Sequence, residues 1–317
     1  MCVNVWRAEK VLIEGVAERS LHCGQHTMEH RKRVFFAIVV AVLVIFGLYQ
    51  FNMLTPAGSF LSNDLPAAVS FKTTVKSKAM TLTDLQGLLE DDPVLLDYTR
   101  GLLIEPAERD TPYALSQPNL QDYSRMNMSL IIYSLLKHRK NGFFVDCGAF
   151  DGEDASVSLA LEKDFNWNGL MVDAGPKQIQ RLLLKGRKSW VAPTCMSTSN
   201  KSMMVSFMES EMQSAIVNKD TQVGNKAVVQ TLCIPFHTFM KVLGIKKVDL
   251  FNLDVEGAEL EILKTIDFNR VKIDAMMIEH FNNKEPVQKE ILSIMEKNGF
   301  KLYEKNAYDF VFVHTSV

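Results

Sequence analysis

The chain has 317 residues, of which 47% are hydrophobic and 23% are charged, as is usual for a globular protein with a buried core. Its formal net charge of −2 argues against a nucleic-acid-binding surface, which normally carries a clear basic excess. Its five cysteines are too few for a disulfide-rich scaffold and show no C-x-x-C spacing, so we expect no zinc site.

The first predicted element is a transmembrane anchor at residues 34–54. No charged residue occurs between Arg33 and Asp64, and at about 1.5 Å per residue the run spans roughly 31 Å, enough to cross a bilayer core. Basic residues stand directly before it, so the positive-inside rule places residues 1–33 in the cytosol and the rest in the lumen. We therefore predict a single-pass type II membrane protein with the lipid bilayer as a partner. A buried core helix and a cleaved signal peptide are the alternatives.

A lumenal location would expose the chain to glycosylation and oxidation. Asn127 and Asn200 begin Asn-x-Ser sequons and are candidate N-glycan sites. Three cysteines follow the anchor, and the lumen permits disulfides. We expect Cys195 to pair with Cys233, since both fall in predicted strands around one insertion, and Cys147 to remain unpaired and buried.

Two segments separate the anchor from the main domain. Residues 55–80 are rich in Ser, Thr, Ala and Pro and are typical of a stalk. Residues 81–141 are predicted to be a helical extension, with a helix that starts at Asp92-Pro93. Within it, residues 105–123 have the composition of a loop that folds over the next domain, and a second helix is expected from residue 124 to 140.

From residue 142 to 317, strand and helix patterns alternate. The predicted strands are 142–147, 169–174, 189–196, 248–255, 273–280, 301–305 and 309–314, and the predicted helices are 154–163, 176–188, 235–244, 258–266 and 285–300. Residues 202–208 and 227–234 are interpreted as an inserted hairpin or as strand extensions. This alternation predicts an α/β fold, a doubly wound, mainly parallel seven-stranded Rossmann-like sheet with an antiparallel last strand.

The first predicted strand leads into a glycine turn, in the segment "GFFVDCGAFDGEDASVSLAL". Its spacing is Asp146-x-Gly148-x-x-x-Gly152, and a strand that passes through glycines into a helix can bind an anionic group at the helix N-terminus. Phe150 occupies the second glycine position of the dinucleotide fingerprint, which disfavours NAD and FAD, and a P-loop is excluded by the absence of Gly-Lys-Ser/Thr.

The second strand ends in Asp173, at the position where an acid accepts hydrogen bonds from ribose hydroxyls in doubly wound folds. An acidic glycine turn followed by this acid fits S-adenosylmethionine, a nucleoside ligand without a pyrophosphate. The candidate cofactor-binding residues are Asp146, Gly148, Ala149, Asp151, Gly152 and Asp173. The alternative is an ordinary tight turn in which Asp173 caps the following helix.

Three segments, "FFVDCGAFDGE", "NWNGLMVDAGP" and "VDLFNLDVEGAELEIL", resemble the FkbM-type methyltransferase domain. Residues 90–315 as a whole resemble its Star-like branch, which consists of animal type II membrane proteins. The resemblance implies the class I S-adenosylmethionine-dependent methyltransferase fold. It places Asp146, Gly148 and Gly152 in the cofactor turn, Asp173 at the ribose, and Asp254, Glu256, Gly257 and Glu259 in the family's D-x-E-G-x-E motif.

Methyl transfer to a hydroxyl acceptor benefits from a general base. The candidates are Asp254, Glu256 and His280, which follow predicted strands at their carboxyl ends. Alternatively, Glu256 and Glu259 stabilise the dipole of the next helix, and His280 is structural. A divalent cation held by Asp254 and Glu256 is a further alternative to our expectation of no metal site.

Two function classes remain open at this stage. The first is an S-adenosylmethionine-dependent O-methyltransferase that acts on a sugar or another small hydroxylated acceptor in the secretory pathway. The second, implied by the Star-like resemblance, is a non-catalytic trafficking factor that escorts membrane cargo such as growth-factor precursors from the endoplasmic reticulum to the Golgi apparatus and endosomes. A glycosyltransferase with a D-x-D-like metal site at Asp254-Val255-Glu256 is a weaker third interpretation.

Overall fold

The computed structural model describes residues 81–208, 215–217 and 228–317. The predicted cytosolic segment 1–33, anchor 34–54 and stalk 55–80 lie outside these residues. Among the helices of the described ranges, none is long and apolar enough to cross a membrane.

Two sheets contain the ten strands of the described chain. The strands are β1 Phe143–Cys147, β2 Asn168–Asp173, β3 Trp190–Pro193, β4 Met203–Met208, β5 Ala215–Val217, β6 Val228–Cys233, β7 Lys247–Leu253, β8 Lys272–Glu279, β9 Phe300–Lys305 and β10 Asp309–His314. The larger sheet has seven strands in the order β3-β2-β1-β7-β8-β10-β9. Strands β3, β2, β1, β7 and β8 pair in parallel, whereas β10 is antiparallel to both of its neighbours. The predicted mainly parallel seven-stranded sheet with an antiparallel last strand is confirmed.

Helices cover both faces of the larger sheet. They are α1 Pro93–Leu102, α2 Met128–Leu135, α3 Leu159–Phe165, α4 Pro176–Leu184, α5 Phe236–Leu243, α6 Glu259–Thr265 and α7 Glu285–Lys297. Apolar side chains of α2, α3 and α4 pack in a core on one face, and those of α5, α6 and α7 pack in a second core on the other. A sheet buried on both faces explains why its central strands are nearly continuous hydrophobic runs.

The insertion after β3 forms the smaller sheet, of three strands in the order β5-β4-β6. Strands β4 and β6 pair antiparallel, so of the two interpretations of this region the inserted hairpin is correct. Cys195 and Cys233 form a disulfide that joins the segment after β3 to the end of β6, whereas Cys147 is buried and unpaired. Both cysteine predictions are confirmed.

The N-terminal extension packs on the domain through specific polar contacts. Helix α1 begins as predicted, because the Asp92 carboxylate accepts a hydrogen bond from the Val94 amide at 2.8 Å. The carbonyl of Glu90 accepts a hydrogen bond from the Thr238 hydroxyl at 2.8 Å, and Arg270 forms ion pairs with Glu90 and Asp91. These contacts attach the extension to α5 and to the loop before β8.

Two predicted helices begin several residues later in the structure. The helix expected at 124–140 is a short 3-10 turn at Arg125–Asn127 followed by α2, because Asp122 and Ser124 accept hydrogen bonds from the backbone amides of Leu130 and Ser129 and cap a new helix. The helix expected at 154–163 begins only at Leu159.

The delayed start of α3 has a backbone cause. Phe150 and Ala155 have φ values of 50° and 54°, in the left-handed region, which interrupts a right-handed helix. The Arg187 guanidinium also donates hydrogen bonds to the Gly152 carbonyl and the Ser158 hydroxyl, so the segment 148–158 is held as an ordered loop.

Candidate functional site

A cavity of about 240 Å³ opens at the carboxyl ends of the central parallel strands. In the sheet, β2 and β3 follow β1 on one side, whereas β7 lies on the other side of β1 and is followed there by β8. The direction of strand addition therefore reverses between β1 and β7. Open α/β sheets bind their ligands at this reversal point, where the loops from adjacent strands diverge. Residues that follow β1, β2, β3 and β7 all line the cavity.

The turn after β1 lies directly against the loop after β7. Gly148 has a φ of +90°, and a Cβ atom on it would lie 1.7 Å from the backbone oxygen of Asp254. The amides of Gly148 and Ala149 donate to the Val172 carbonyl at 2.9 and 3.2 Å. Only glycine fits this position, and both Gly148 and Ala149 line the cavity as the sequence suggested.

Asp173 lies beside this turn at the end of β2. Its carboxylate accepts hydrogen bonds from the Phe150 amide at 2.9 Å and the Gly175 amide at 2.8 Å. Burial raises the pKa of Asp173 to about 6, although these two amide hydrogen bonds oppose the rise. The acid therefore links the turn after β1 to the segment before α4, as the alternative interpretation of Asp173 expected.

Asp146 is held in place by polar side chains below the cavity. Its carboxylate accepts hydrogen bonds from the Ser158 hydroxyl at 2.5 Å and from the Asn252 side-chain amide at 2.9 Å. Ser158 in turn receives a hydrogen bond from the buried Arg187. This chain of contacts fixes the acid at the floor of the cavity, and it leaves the buried carbonyl oxygen of Asn252 without a hydrogen-bond partner among the described residues.

Two predicted cofactor-binding residues do not line the cavity. The Asp151 carboxylate accepts hydrogen bonds from the amides of Glu153 and Asp154, both at 2.8 Å. Gly152 faces Leu182 and Arg187. Because α3 starts at Leu159 and has seven residues, its N-terminus does not form the anion site that we expected directly after the glycines. The amides of Gly148, Ala149 and Phe150 already donate hydrogen bonds within the protein, so the Asp173 carboxylate is the polar group of this turn that a ligand in the cavity can contact.

The D-x-E-G-x-E motif forms the opposite wall. The fully buried Glu259 accepts hydrogen bonds from the amides of Val255 and Gly257, both at 3.0 Å, and thereby holds the loop before α6. Glu256 has a left-handed φ of 57°, and its carboxylate accepts a hydrogen bond from the Asn282 side chain at 2.9 Å. Glu259 is thus structural, as one of the alternatives held, whereas Glu256 lines the cavity.

Three carboxyl groups lie close together here: Asp254 and Glu256 line the cavity, and the buried Glu279 lies next to them. One oxygen each of Asp254, Glu256 and Glu279 lies within 4.8 Å of the others. Asp254 and Glu279 share a hydrogen bond. Burial is the main cause that raises the pKa of both side chains; repulsion from Asp309 and Glu256 adds to the rise for Asp254, and repulsion from Asp254 and Glu256 adds to it for Glu279. Sequence reasoning missed Glu279, although it ends β8 just as Asp254 follows the end of β7.

His280 is not brought to the cavity. Its Nε2 lies 3.1 Å from the Asn306 carbonyl oxygen, and its ring packs against Phe310. Adjacent residues at a strand end point to opposite sides, so Glu279 faces the carboxyl cluster and the neighbouring imidazole faces away from it. The candidate role of His280 as general base is not supported by this position.

The cavity lining has a marked excess of negative charge. Its acids are Asp146, Asp154, Asp173, Asp254, Glu256 and Asp309, and Arg125 is its one cation among the described residues. Val172, Met196, Phe207 and Ile262 supply apolar surface. Such a lining repels phosphates and favours a ligand that carries positive charge. Arg125 and Asp309 were not predicted, because residues so far apart in the sequence meet only in the folded chain.

Comparison with known proteins identifies the domain. Residues 146–302 match the model of the methyltransferase FkbM domain, which confirms the FkbM-type resemblance for that segment. Among curated proteins, none matches the chain.

Several solved structures are similar at low sequence identity. FkbM methyltransferase from Methylobacillus flagellatus KT is 13% identical, with 68% of this chain and 49% of that chain covered and a TM-score of 0.34. Precorrin-6y C5,15-methyltransferase from Geobacter metallireducens GS-15 is 11% identical, with 63% and 92% covered and a TM-score of 0.33. Aeropyrum pernix fibrillarin, solved with natively bound S-adenosyl-L-methionine, is 11% identical, with 60% and 74% covered and a TM-score of 0.34. Similarities of this size do not identify a substrate or a cofactor.

Proposed function

We propose that this chain is an S-adenosylmethionine-dependent methyltransferase that acts on a hydroxyl group of a sugar or another small acceptor. The observation that carries the proposal is the cavity at the sheet's reversal point, where the Gly148 turn and the Asp173 carboxylate lie side by side within a methyltransferase FkbM domain.

The residues present fit the proposed cofactor. Asp173 can accept hydrogen bonds from ribose hydroxyls, since it lines the cavity and a carboxylate has about four lone-pair sites, more than the backbone amides of Phe150, Ala174 and Gly175 occupy. The sulfonium and ammonium groups carry positive charge, which suits the acidic lining. Arg125 can pair with the carboxylate of the methionine moiety. Phe150 lines the cavity where a dinucleotide-binding site needs glycine, which argues against a pyrophosphate.

S-adenosylmethionine, when bound, supplies an electrophilic methyl group for in-line displacement. The protein's part is to orient the acceptor and take up its proton. Asp254 is placed for the second task, because it lines the cavity and its raised pKa makes the carboxylate a stronger base. Glu256 and Asp309 lie at the same wall and can accept hydrogen bonds from further hydroxyls of the acceptor.

Calorimetric titration of the full chain with S-adenosylhomocysteine tests this proposal. We expect binding that is lost or weakened at least about tenfold in Asp173→Ala, because one charge-assisted hydrogen bond contributes about 1.5–3 kcal/mol. Asp110→Ala is the control, since Asp110 is exposed and does not line the cavity. The proposal fails if the unmodified chain does not bind, and the non-catalytic trafficking role is then favoured.

We also propose that the domain lies in the lumen of the secretory pathway, anchored by residues 34–54. The disulfide between Cys195 and Cys233 supports an oxidising compartment, and the side chains of Asn127 and Asn200 are exposed as glycan acceptors must be. Endoglycosidase treatment of the chain expressed in animal cells should reduce its apparent mass. If endoglycosidase leaves the apparent mass of the wild type unchanged, and Asn200→Gln has the same apparent mass as the wild type, the proposed lumenal location is contradicted.

A further inference from the structure

The carboxyl cluster of Asp254, Glu256 and Glu279 contains a deeply buried carboxyl oxygen that the other described residues do not satisfy. Glu279 is 95% buried and shares a hydrogen bond with Asp254, yet its Oε2 atom has no partner outside the cluster among the described residues. Buried polar atoms are nearly always paired, and a buried carboxylate oxygen without a partner therefore calls for a ligand. Asn252, whose buried side-chain carbonyl oxygen is also without a partner among the described residues, lines the cavity together with Asp254 and Glu256.

We propose that Asp254, Glu256 and Glu279 bind one divalent cation, of the hard type represented by Mg²⁺ and Mn²⁺. All three groups offer carboxylate oxygens, which these cations prefer to nitrogen or sulfur. One oxygen of each group lies within 4.8 Å of the other two. Oxygens on opposite sides of a Mg²⁺ ion are separated by about 4.2 Å, at about 2.1 Å each from the metal, so modest side-chain movement brings the three onto one ion.

The loop that carries two of these ligands is already shaped to present them. Glu259 fixes the backbone by accepting hydrogen bonds from the amides of Val255 and Gly257. The Asn282 side chain donates a hydrogen bond to one oxygen of Glu256, which leaves the other oxygen of Glu256 available. Hydrogen bonds to the outer oxygens of ligand carboxylates are a regular feature of metal sites. Glu256 has a left-handed φ of 57°, and its side chain lines the cavity.

Charge around the cluster also favours a cation. Asp309 and Asp146 add negative charge to the same lining, and Arg125 is the opposing positive group. Three protein ligands leave positions on an octahedral ion for water and for acceptor oxygens. If the proposed methyl transfer is correct, the cation would bind the acceptor hydroxyl and lower its pKa, so that its proton would pass more readily to the general base. Cation binding itself does not depend on that reaction.

Titration of the full chain with Mn²⁺, after treatment with a chelator, tests the site by the electron paramagnetic resonance signal of free Mn²⁺. We expect one Mn²⁺ bound per chain and its displacement by excess Mg²⁺. Glu279→Gln and Glu256→Gln should each weaken Mn²⁺ binding at least about tenfold. Glu261→Gln is the matched control, because Glu261 is an exposed residue of α6 that pairs with Lys264 outside the cluster. This variant should bind Mn²⁺ like the wild type.

The proposal is overturned if the wild type shows no saturable Mn²⁺ binding, or if both Gln variants bind as tightly as the wild type. Circular dichroism checks that the variants fold. If Glu279→Gln does not fold, Glu256→Gln decides the outcome, because Glu256 is only partly buried and its substitution should not prevent folding. Calorimetry with S-adenosylhomocysteine on the same metal-free samples separates the two proposals. If the chain binds Mn²⁺ but not S-adenosylhomocysteine, the cation site is supported and the methyltransferase proposal is refuted. If it binds S-adenosylhomocysteine but not Mn²⁺, only the cation site is refuted.

Discussion

Replacing Gly148 by alanine should strongly destabilise the protein, because the turn after β1 has no space for a Cβ atom. The new Cβ atom would lie 1.7 Å from the backbone oxygen of Asp254, and real Cβ atoms essentially never approach closer than 3.0 Å, so one backbone segment must move by 1.3 Å or more. Neither is free to move, because the Gly148 amide donates to Val172 and the Asp254 amide donates to the Cys147 carbonyl at 3.0 Å.

The expected magnitude follows from two terms. A residue with a Cβ atom at a φ of +90° is strained by about 1–2 kcal/mol, and overpacking adds about 1–3 kcal/mol. The sum of about 2–5 kcal/mol is a large part of a typical total stability of about 5–15 kcal/mol. At about 2–4 °C per kcal/mol for a domain of this size, Tm should fall by about 4–20 °C.

Gly244→Ala is the matched control. Gly244 has a φ of +69° at the end of α5, and a Cβ atom there would meet nothing within 4 Å, so this variant experiences the backbone strain without the collision. Thermal and urea unfolding of both variants, followed by circular dichroism, should show a loss of only about 1–2 kcal/mol for Gly244→Ala. Equal losses in the two variants would refute the close approach of the β1 turn to the β7 loop.

Three further predictions concern pH and the disulfide. Burial lowers the pKa of His237 to about 4, so the imidazole stays neutral in the native state, whereas the unfolded state takes up a proton near pH 6.5. Up to about 3 kcal/mol of stability should therefore be lost as the pH falls from 6.5 to 4. Urea unfolding of His237→Gln, whose side chain can still accept a hydrogen bond from the Asp267 amide, should lack this pH-dependent loss. Because the pKa of Asp173 is about 6, calorimetry should find S-adenosylhomocysteine binding about tenfold weaker at pH 5 than at pH 7.5, and an equally steep pH dependence in Asp173→Asn would contradict that cause. The 38-residue separation of Cys195 and Cys233 implies a loss of up to about 4 kcal/mol in the double alanine variant, and unchanged urea unfolding would show that the bond does not stabilise the native fold.

Local patterns in the sequence determined most of the architecture. Hydrophobic runs bounded by glycine and proline predicted the seven strands of the main sheet, and the Asp92-Pro93 pair predicted where α1 begins. The spacing of Asp146, Gly148 and Asp173 predicted which turn and which strand end lie together, because parallel strands of a βα series place their carboxyl ends at one edge. Such features depend on neighbours within a few residues or on general rules of chain connection.

Tertiary contacts decided the rest. Glu279 joins Asp254 only because β7 and β8 are adjacent, and the delayed start of α3 depends on Arg187, which contacts the loop from 35 residues away. Asp151 and His280 carry suitable chemistry, yet each faces away from the cavity because backbone groups occupy its side chain. Sequence spacing fixes which strand end a residue occupies, whereas the direction of its side chain is fixed by partners that are distant in the sequence.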